Sequence, residues 1–336
     1  MKNQSLKAIL LALALGLLAC NGLAKPLKDY VPVLPETLSK ALPVDPKKGY
    51  LVKEVARDVY LVTDGIWQSA FVVTGKGVVL LDAPQSLGRH LVAAVKQVTD
   101  EPIRQLVYSH SHVDHIGGAP ELAAIKDLKI VASEEVATFL REKNDPRRPL
   151  PTKTFRGNHT LKLGSAEIKL NRHGNYHSNE ADLFIYIPDK KFLMVIDSIA
   201  PGYVPFMDLD LSSNVHEYLA MFDRILSYRF DVFVGGHLGH HGQRSDVVAT
   251  KEYVFDVYQT VKRIHQQADQ MKIMASVAEQ VGGWDNKYLL FKVFLDTVIE
   301  RCAVEIEQRW IKKLSGVDVW ANSHCRALLI YVRWDD

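Results

Sequence analysis

Apolar and polar positions follow two rhythms along the chain. From Tyr50 onward, short apolar runs at 60–62, 71–73 and 78–81 are separated by Asp64-Gly65 and Gly75-Lys76-Gly77, the punctuation of strands joined by tight hairpins. Leu87, Leu91, Val95 and Val98 then recur at helical spacing. A strand at 103–108, a helix around 121–125, a strand at 130–132 and a helix at 134–143 complete an alternating first half. After a Pro- and Arg-rich loop at 145–151, strand-like runs return at 161–163, 168–170, 183–187 and 192–196, followed by a helix at 215–226 and a strand at 230–234. Two similar halves of this kind predict an α/β architecture of two sheets packed face to face with helices outside. Residues 246–314 carry long helical periodicity broken at Gly282-Gly283, which predicts a helical cover over one sheet.

The N-terminus follows neither rhythm. Lys2 and Lys7 precede a small and aliphatic run at 8–19, which reads as an export signal over 1–24 and places the working chain outside the cytoplasm, periplasmic or secreted. Two processing sites compete: residues 17–20 resemble a lipoprotein box ending at Ala19, with a lipid anchor on Cys20 as the one membrane attachment, and residues 22–24 resemble an ordinary cleavage site. Residues 25–48, rich in Pro and Lys without sustained periodicity, read as a leader, 49–245 as the main domain and 246–336 as a helical extension packed on it. The chain of 336 residues has a net charge of +2, and Lys2 and Lys7 account for it, leaving 39 basic and 39 acidic residues. Such a balance disfavours a nucleic-acid partner. Export also leaves Cys302 and Cys325 as an even pair in a disulfide-permissive compartment, and a Cys302–Cys325 bridge is favoured over two inert thiols.

The candidate chemistry lies in His110-Ser111-His112-Val113-Asp114-His115, directly after the apolar strand and before Gly117-Gly118. Residues two apart in an extended stretch face the same way, so His110 and His112 aim at one point, while Asp114 and His115 follow the turn and face a second. Nitrogen and oxygen donors without a thiolate suit zinc or another borderline divalent metal. Asp197 ends the run 192–196, His237 follows a strand through Gly235-Gly236, and His177 precedes Leu183; loops at strand ends are where a rigid scaffold presents metal ligands.

In these residues and their order the sequence resembles the metallo-β-lactamase superfamily over roughly 50–242. The resemblance implies an αββα sandwich with a dinuclear site at one edge, His110, His112 and His177 on a first metal, Asp114, His115 and His237 on a second, and Asp197 bridging. Asp82 matches the family's early aspartate and would orient a ligand histidine. An Asp bridge is of the glyoxalase II and lactonase type, whereas several β-lactam-hydrolysing members have Cys or Ser there.

The expected enzyme is therefore a metal-dependent hydrolase with two Zn2+, iron or manganese being alternatives, that attacks a carbonyl of a small ester, lactone or thioester with a metal-held hydroxide oriented by Asp114. β-Lactam hydrolysis is the second enzymatic reading, and a non-catalytic metal-binding or interaction protein the third. Trp67, Tyr203 and Phe206 are candidates for an apolar lip over the metals. Ser111 and Ser178 lack the base and orienter of a nucleophile and read as loop residues, as Arg147-Arg148 reads as a solvated turn. The sequence is silent on oligomeric state.

Overall fold

The computed structural model describes residues 29–238 and 240–336; the segment 1–24 that reads as an export signal, Cys20 included, lies outside the described residues. Val33–Asp336 forms one compact unit. Its first sheet has seven strands in sequence order, β1 (Leu51–Ala56), β2 (Val59–Thr63), β3 (Gln68–Val73), β4 (Val78–Leu81), β5 (Ile103–Val107), β6 (Lys129–Ser133) and β7 (Lys153–Phe155). β1 to β4 are antiparallel and β4 to β7 parallel. The second sheet has five strands, β8 (His159–Leu163), β9 (Ala166–Arg172), β10 (Leu183–Ile187), β11 (Phe192–Val195) and β12 (Val232–Val234), with β12 parallel to β11 and the other pairs antiparallel.

Alternate residues of the strands explain the layering. Leu61, Val79, Leu81 and Val107 of the first sheet meet Ile168, Ile185, Phe192 and Met194 of the second in a core between the sheets. The opposite face of the first sheet, with Phe71, Leu80 and Leu106, is covered by α2 (Gly88–Lys96) and α4 (Glu134–Lys143). That of the second sheet is covered by α5 (Val215–Ser227) and by α6 (Arg244–Gln267), α7 (Gln270–Val281), α8 (Lys287–Trp310) and α9 (Val317–Trp334). The four layers are the αββα sandwich expected from the two alternating halves. Each fully buried Leu or Phe in them contributes on the order of 1.5–3 kcal/mol. Cys302 and Cys325 are bonded, joining α8 to α9 with 6.0 Å between their Cα atoms.

Local chemistry accounts for the differences from the sequence pattern. The leader, aperiodic in sequence, contains α1 (Pro35–Lys40), with Pro35 in its first turn, Glu36 at its N-terminus and Lys40 at its C-terminus, each suited to its end of a helix. Thr37 is buried there and donates to the Gly202 carbonyl at 3.2 Å, and the Leu34 N–H donates to Ser315 Oγ at 3.0 Å. Around 121–125 there is a 3-10 turn, Ala119–Leu122, with Pro120 in its first turn. β1 and β7 lie at sheet edges, where half-exposed or three-residue strands leave little apolar signal. The helical cover breaks before α7 because the Asp269 carboxylate accepts the Lys272 N–H as an N-cap.

Candidate metal centre

Strand ends deliver the donor side chains to one edge of the sandwich. β4 leads to Asp82, whose left-handed backbone (φ 62°) turns its carboxylate back so that Oδ1 accepts the Ser109 N–H at 2.7 Å. This fixes the exit of β5 immediately before His110. Asp114 and His115 lie on the one-turn helix α3 (Val113–Ile116). Gly118 then packs so closely on the chain after Asp82 that a Cβ there would lie 2.3 Å from the Pro84 carbonyl oxygen. β11 leads to Asp197, which is also left-handed (φ 53°). His237 follows β12 and Gly236, whose positive φ (96°) and missing Cβ leave room for the His115 ring. His177 sits between β9 and β10, its N–H held by Asp182 Oδ2 at 2.9 Å.

The seven donors form two groups, His110, His112, His177 and Asp197 in one and Asp114, His115 and His237 in the other. Asp197 links them. Its Oδ2 lies 3.0 Å from His177 Nε2 and 3.4 Å from His110 Nε2, and its Oδ1 lies 3.1 Å from His115 Nε2 and 2.9 Å from His237 Nε2. His112 Nδ1 is 2.9 Å from His177 Nε2, and His115 Nε2 is 3.0 Å from His237 Nε2. Asp114 Oδ2 is 3.4 Å from His115 Nε2 and 3.7 Å from His237 Nε2. A tetrahedral ion with bonds of about 2.0–2.1 Å holds its ligand atoms about 3.3 Å apart, so separations of this size and the all-imidazole and carboxylate donor set both fit a divalent metal. His110, His115, His177 and Asp197 are buried, while Asp114 and His237 remain 41% and 32% exposed, so the centre opens on the Asp114 side.

Charge inside the edge is mutually arranged. Burial disfavours the Asp197 carboxylate, but His115, His177 and His110 overcome that and hold its pKa well below the usual range. Burial drives His115 and His177 toward neutrality, and the charge and hydrogen bonds of Asp197 outweigh it, raising each to about 9. His110 and His112 go the other way, lowered chiefly by burial. Burial raises Asp82 to about 6, with His115 and Ser109 opposing. Asp82 thus acts on the loop backbone: Oδ2 has no hydrogen-bond partner, and among the described residues no bond joins it to a ligand histidine.

A cavity of about 710 Å3 on the open side is lined by Trp67, Arg89, Asp114, Glu121 and Arg147 among others. Trp67, with its ring 6.1 Å from that of His237, is where the apolar lip was expected. Tyr203 and Phe206 are not in that lining; Tyr203 pairs with Ser315 and Phe206 stacks edgewise on Trp320 at 4.9 Å. Arg147-Arg148 is more than a solvated turn. Asp145 grips both guanidinium groups, and Arg148 Nη1 donates to the Ser111 carbonyl between His110 and His112 at 2.9 Å. Arg148 reads in the sequence only as part of that turn, and neither Asp182 nor Asp210, whose carbonyl accepts from His177 Nδ1, stands out there. An Asp directly before the apolar run at 183–187 is a signal that could find Asp182; nothing local marks the other two.

Comparisons with known proteins agree with this picture. The chain is 24% identical over 190 residues to the 2,4-dinitroanisole O-demethylase subunit alpha of Nocardioides sp. (strain JS1661), covering 55% of this chain and 57% of that one. It is 33% identical over 75 residues to a metal-dependent hydrolase of Pyrococcus abyssi, covering 22% of this chain and 32% of that one. The chain therefore spans little more than half the length of the first relative and about a third of the second. Among solved structures, a metallo-beta-lactamase from Pontibacter korlensis shares the fold with a TM-score of 0.54 at 20% identity, over 60% of this chain and 97% of the other. The profile of the Metallo-beta-lactamase superfamily matches residues 63–237. With that match running over more than half its length, from the end of β2 to the last histidine of the cluster, the chain belongs to the metallo-β-lactamase superfamily.

Proposed function

We propose that the chain is an exported hydrolase that carries two divalent ions, zinc before iron or manganese, and cleaves a small ester, lactone or thioester. The carrying observation is the pair of donor groups joined by Asp197 and open to a cavity on the Asp114 side. His110, His112 and His177 would hold one ion, Asp114, His115 and His237 the other, with Asp197 between. Bound there, such ions supply Lewis acidity and lower the pKa of water toward neutrality.

The chain's own residues do the rest. Asp114, the exposed carboxylate of the cluster, faces the cavity and is placed to orient a water and take its proton at the free oxygen. Trp67 offers an indole face to the apolar part of a substrate, with Arg89 and Arg147 on the polar walls of the cavity. Asp145, through Arg148 and the Ser111 carbonyl, keeps the loop of His110 and His112 in register. Asp82 does the same from β4 through the Ser109 N–H.

The test is metal analysis of the purified protein joined to a substrate panel of aryl esters, lactones, thioesters, a chromogenic cephalosporin and, because one relative is an O-demethylase subunit, an aryl methyl ether. Two ions per chain, loss of turnover on chelation, recovery with zinc and preference for the ester classes are expected. Preference for the cephalosporin would install the β-lactam reading, and absence of both metal and turnover the interaction-protein reading. Unchanged hydrolysis by Asp114→Ala would overturn the assignment. Export is tested by cell fractionation, and labelling by a fatty acid that disappears with Cys20→Ala distinguishes a lipoprotein from an ordinary signal.

A further inference from the structure

The C-terminal helix α9 lies outside the family match, yet it reaches the donor cluster through one unusual segment. Asp208, Leu209, Asp210 and Leu211 all have left-handed backbones, with φ of 53°, 63°, 56° and 56°. Four successive L-residues in that region do not hold themselves, because each Cβ crowds a carbonyl; the surroundings must over-determine them.

α9 supplies much of that determination. Ser323 Oγ accepts the Asp208 N–H at 3.1 Å, and the Arg326 guanidinium pairs with the Asp208 carboxylate. His324 Nε2 donates to the Phe206 carbonyl at 3.0 Å, its Nδ1 accepting from Tyr253 of α6 at 2.8 Å. Inside the turn, the half-buried Asp210 carboxylate accepts the Phe206 N–H at 2.9 Å and the Tyr218 hydroxyl at 2.8 Å. Leu209 is fully buried beneath it.

The turn ends on a donor histidine. The Asp210 carbonyl accepts from His177 Nδ1, so Nε2, at 2.9 Å from His112 Nδ1 and 3.0 Å from Asp197 Oδ2, is the nitrogen left to face an ion. A ligand imidazole is oriented by what its other nitrogen donates to. We infer that Ser323 and Arg326 of α9 are positioning residues for the metal centre: they hold the left-handed turn 208–211, and through the Asp210 carbonyl they set the aim of His177 at its ion. The inference rests on the metal-centre reading above.

The experiment measures metal affinity rather than activity. Chelator competition on the full chain gives the affinity of each ion, and the absorption spectrum of the cobalt-loaded protein reports ligand geometry. Arg326→Ala and Ser323→Ala should each weaken one of the two ions by about tenfold and shift the cobalt spectrum, and Arg326→Lys should restore part of the loss. Arg309→Ala, which removes a guanidinium that holds Asp256 of α6 away from the turn, should leave both affinities and the spectrum unchanged. If Arg326→Ala and Ser323→Ala load both ions with wild-type affinity, whatever their melting temperatures, the inference is wrong and the metal-centre reading stands. A wild-type chain that takes up no metal overturns both.

Discussion

Zinc loading at pH 7.5 should expel close to two protons from the protein. In the metal-free chain, burial opposes the charged forms of His115 and His177, and Asp197 outweighs it, so both stand at about 9. An imidazole with that pKa is about 97% protonated at pH 7.5, and it must shed its proton to bind a metal. His110 and His112 have little to give, since burial lowers both. Each raised imidazole represents on the order of 3 kcal/mol of net preference for its charged form, after burial and all the neighbouring carboxylates are counted. Calorimetry in three buffers of different ionisation enthalpy reads the count as a slope. Protons surrendered by water on the ions add to that number and do not reduce it, so a release below one refutes the electrostatic account. The companion variant is Asp197→Asn, in which NMR titration of the metal-free protein should show both imidazoles falling to or below their ordinary range. The same shifts set a stability window. A histidine whose folded pKa is raised stabilises fully below its unfolded value near 6.5 and loses that contribution as pH rises through about 9. The metal-free protein should therefore melt lower at pH 9.5 than at pH 6, and zinc should remove the trend.

Three further perturbations follow from named contacts. Replacing Cys302 and Cys325 by Ala releases a link between residues 23 apart in sequence, which should cost about 3 kcal/mol of chain entropy in urea unfolding; an unchanged midpoint would argue against a formed bridge. Asp82→Ala strips the acceptor from the buried Ser109 N–H and should cost about 1–3 kcal/mol, while Asp82→Asn, which keeps an acceptor, should cost less; equal losses would place the effect elsewhere. Leu211→Gly removes a Cβ from a left-handed position with half its side chain exposed and should raise stability by about 0.5–1 kcal/mol; a fall in melting temperature would mean that the turn is relaxed as it stands.

What could be read in advance divides along a physical line. Buried strands announce themselves as apolar runs, and a polar residue at the end of such a run is conspicuous, so Asp82, His110, Asp197 and His237 were visible as strand-end positions. Leu290, Phe294, Val298, Cys302, Ile306 and Trp310 recur at helical spacing, and all six are buried. The roles that the pattern does not carry work through contacts made by packing. Arg148 meets a carbonyl 37 positions away and Asp210 meets an imidazole 33 positions away, and no periodicity encodes such pairs. The segment 207–211 carries neither Gly nor Asn, and although Asp tolerates a left-handed backbone, Asp208 and Asp210 do not account for Leu209 and Leu211 between and after them. Contacts from α9 and α5 hold the conformation, and these leave no local pattern to read.

The distribution of strain carries the same logic into function. Among the described residues, seven of the eleven non-glycine positions with positive φ are Asp82, Asp197, the four residues 208–211 and Leu238, and every one of these holds a donor, supports one or adjoins one. Such conformations cost about 1–2 kcal/mol each and persist only where the surrounding packing over-determines them. Here the packing is asymmetric. Asp82 and Asp197 follow strands whose side chains lie in the packed layers, so the sheets carry much of their restraint. The turn 208–211 has no strand of its own and relies on Tyr218 and on Ser323 and Arg326. His177 is consequently the donor whose alignment depends most on the helical extension. That dependence makes the extension part of the centre's geometry, and it makes the first group of ligands more sensitive than the second to changes made far from any of them.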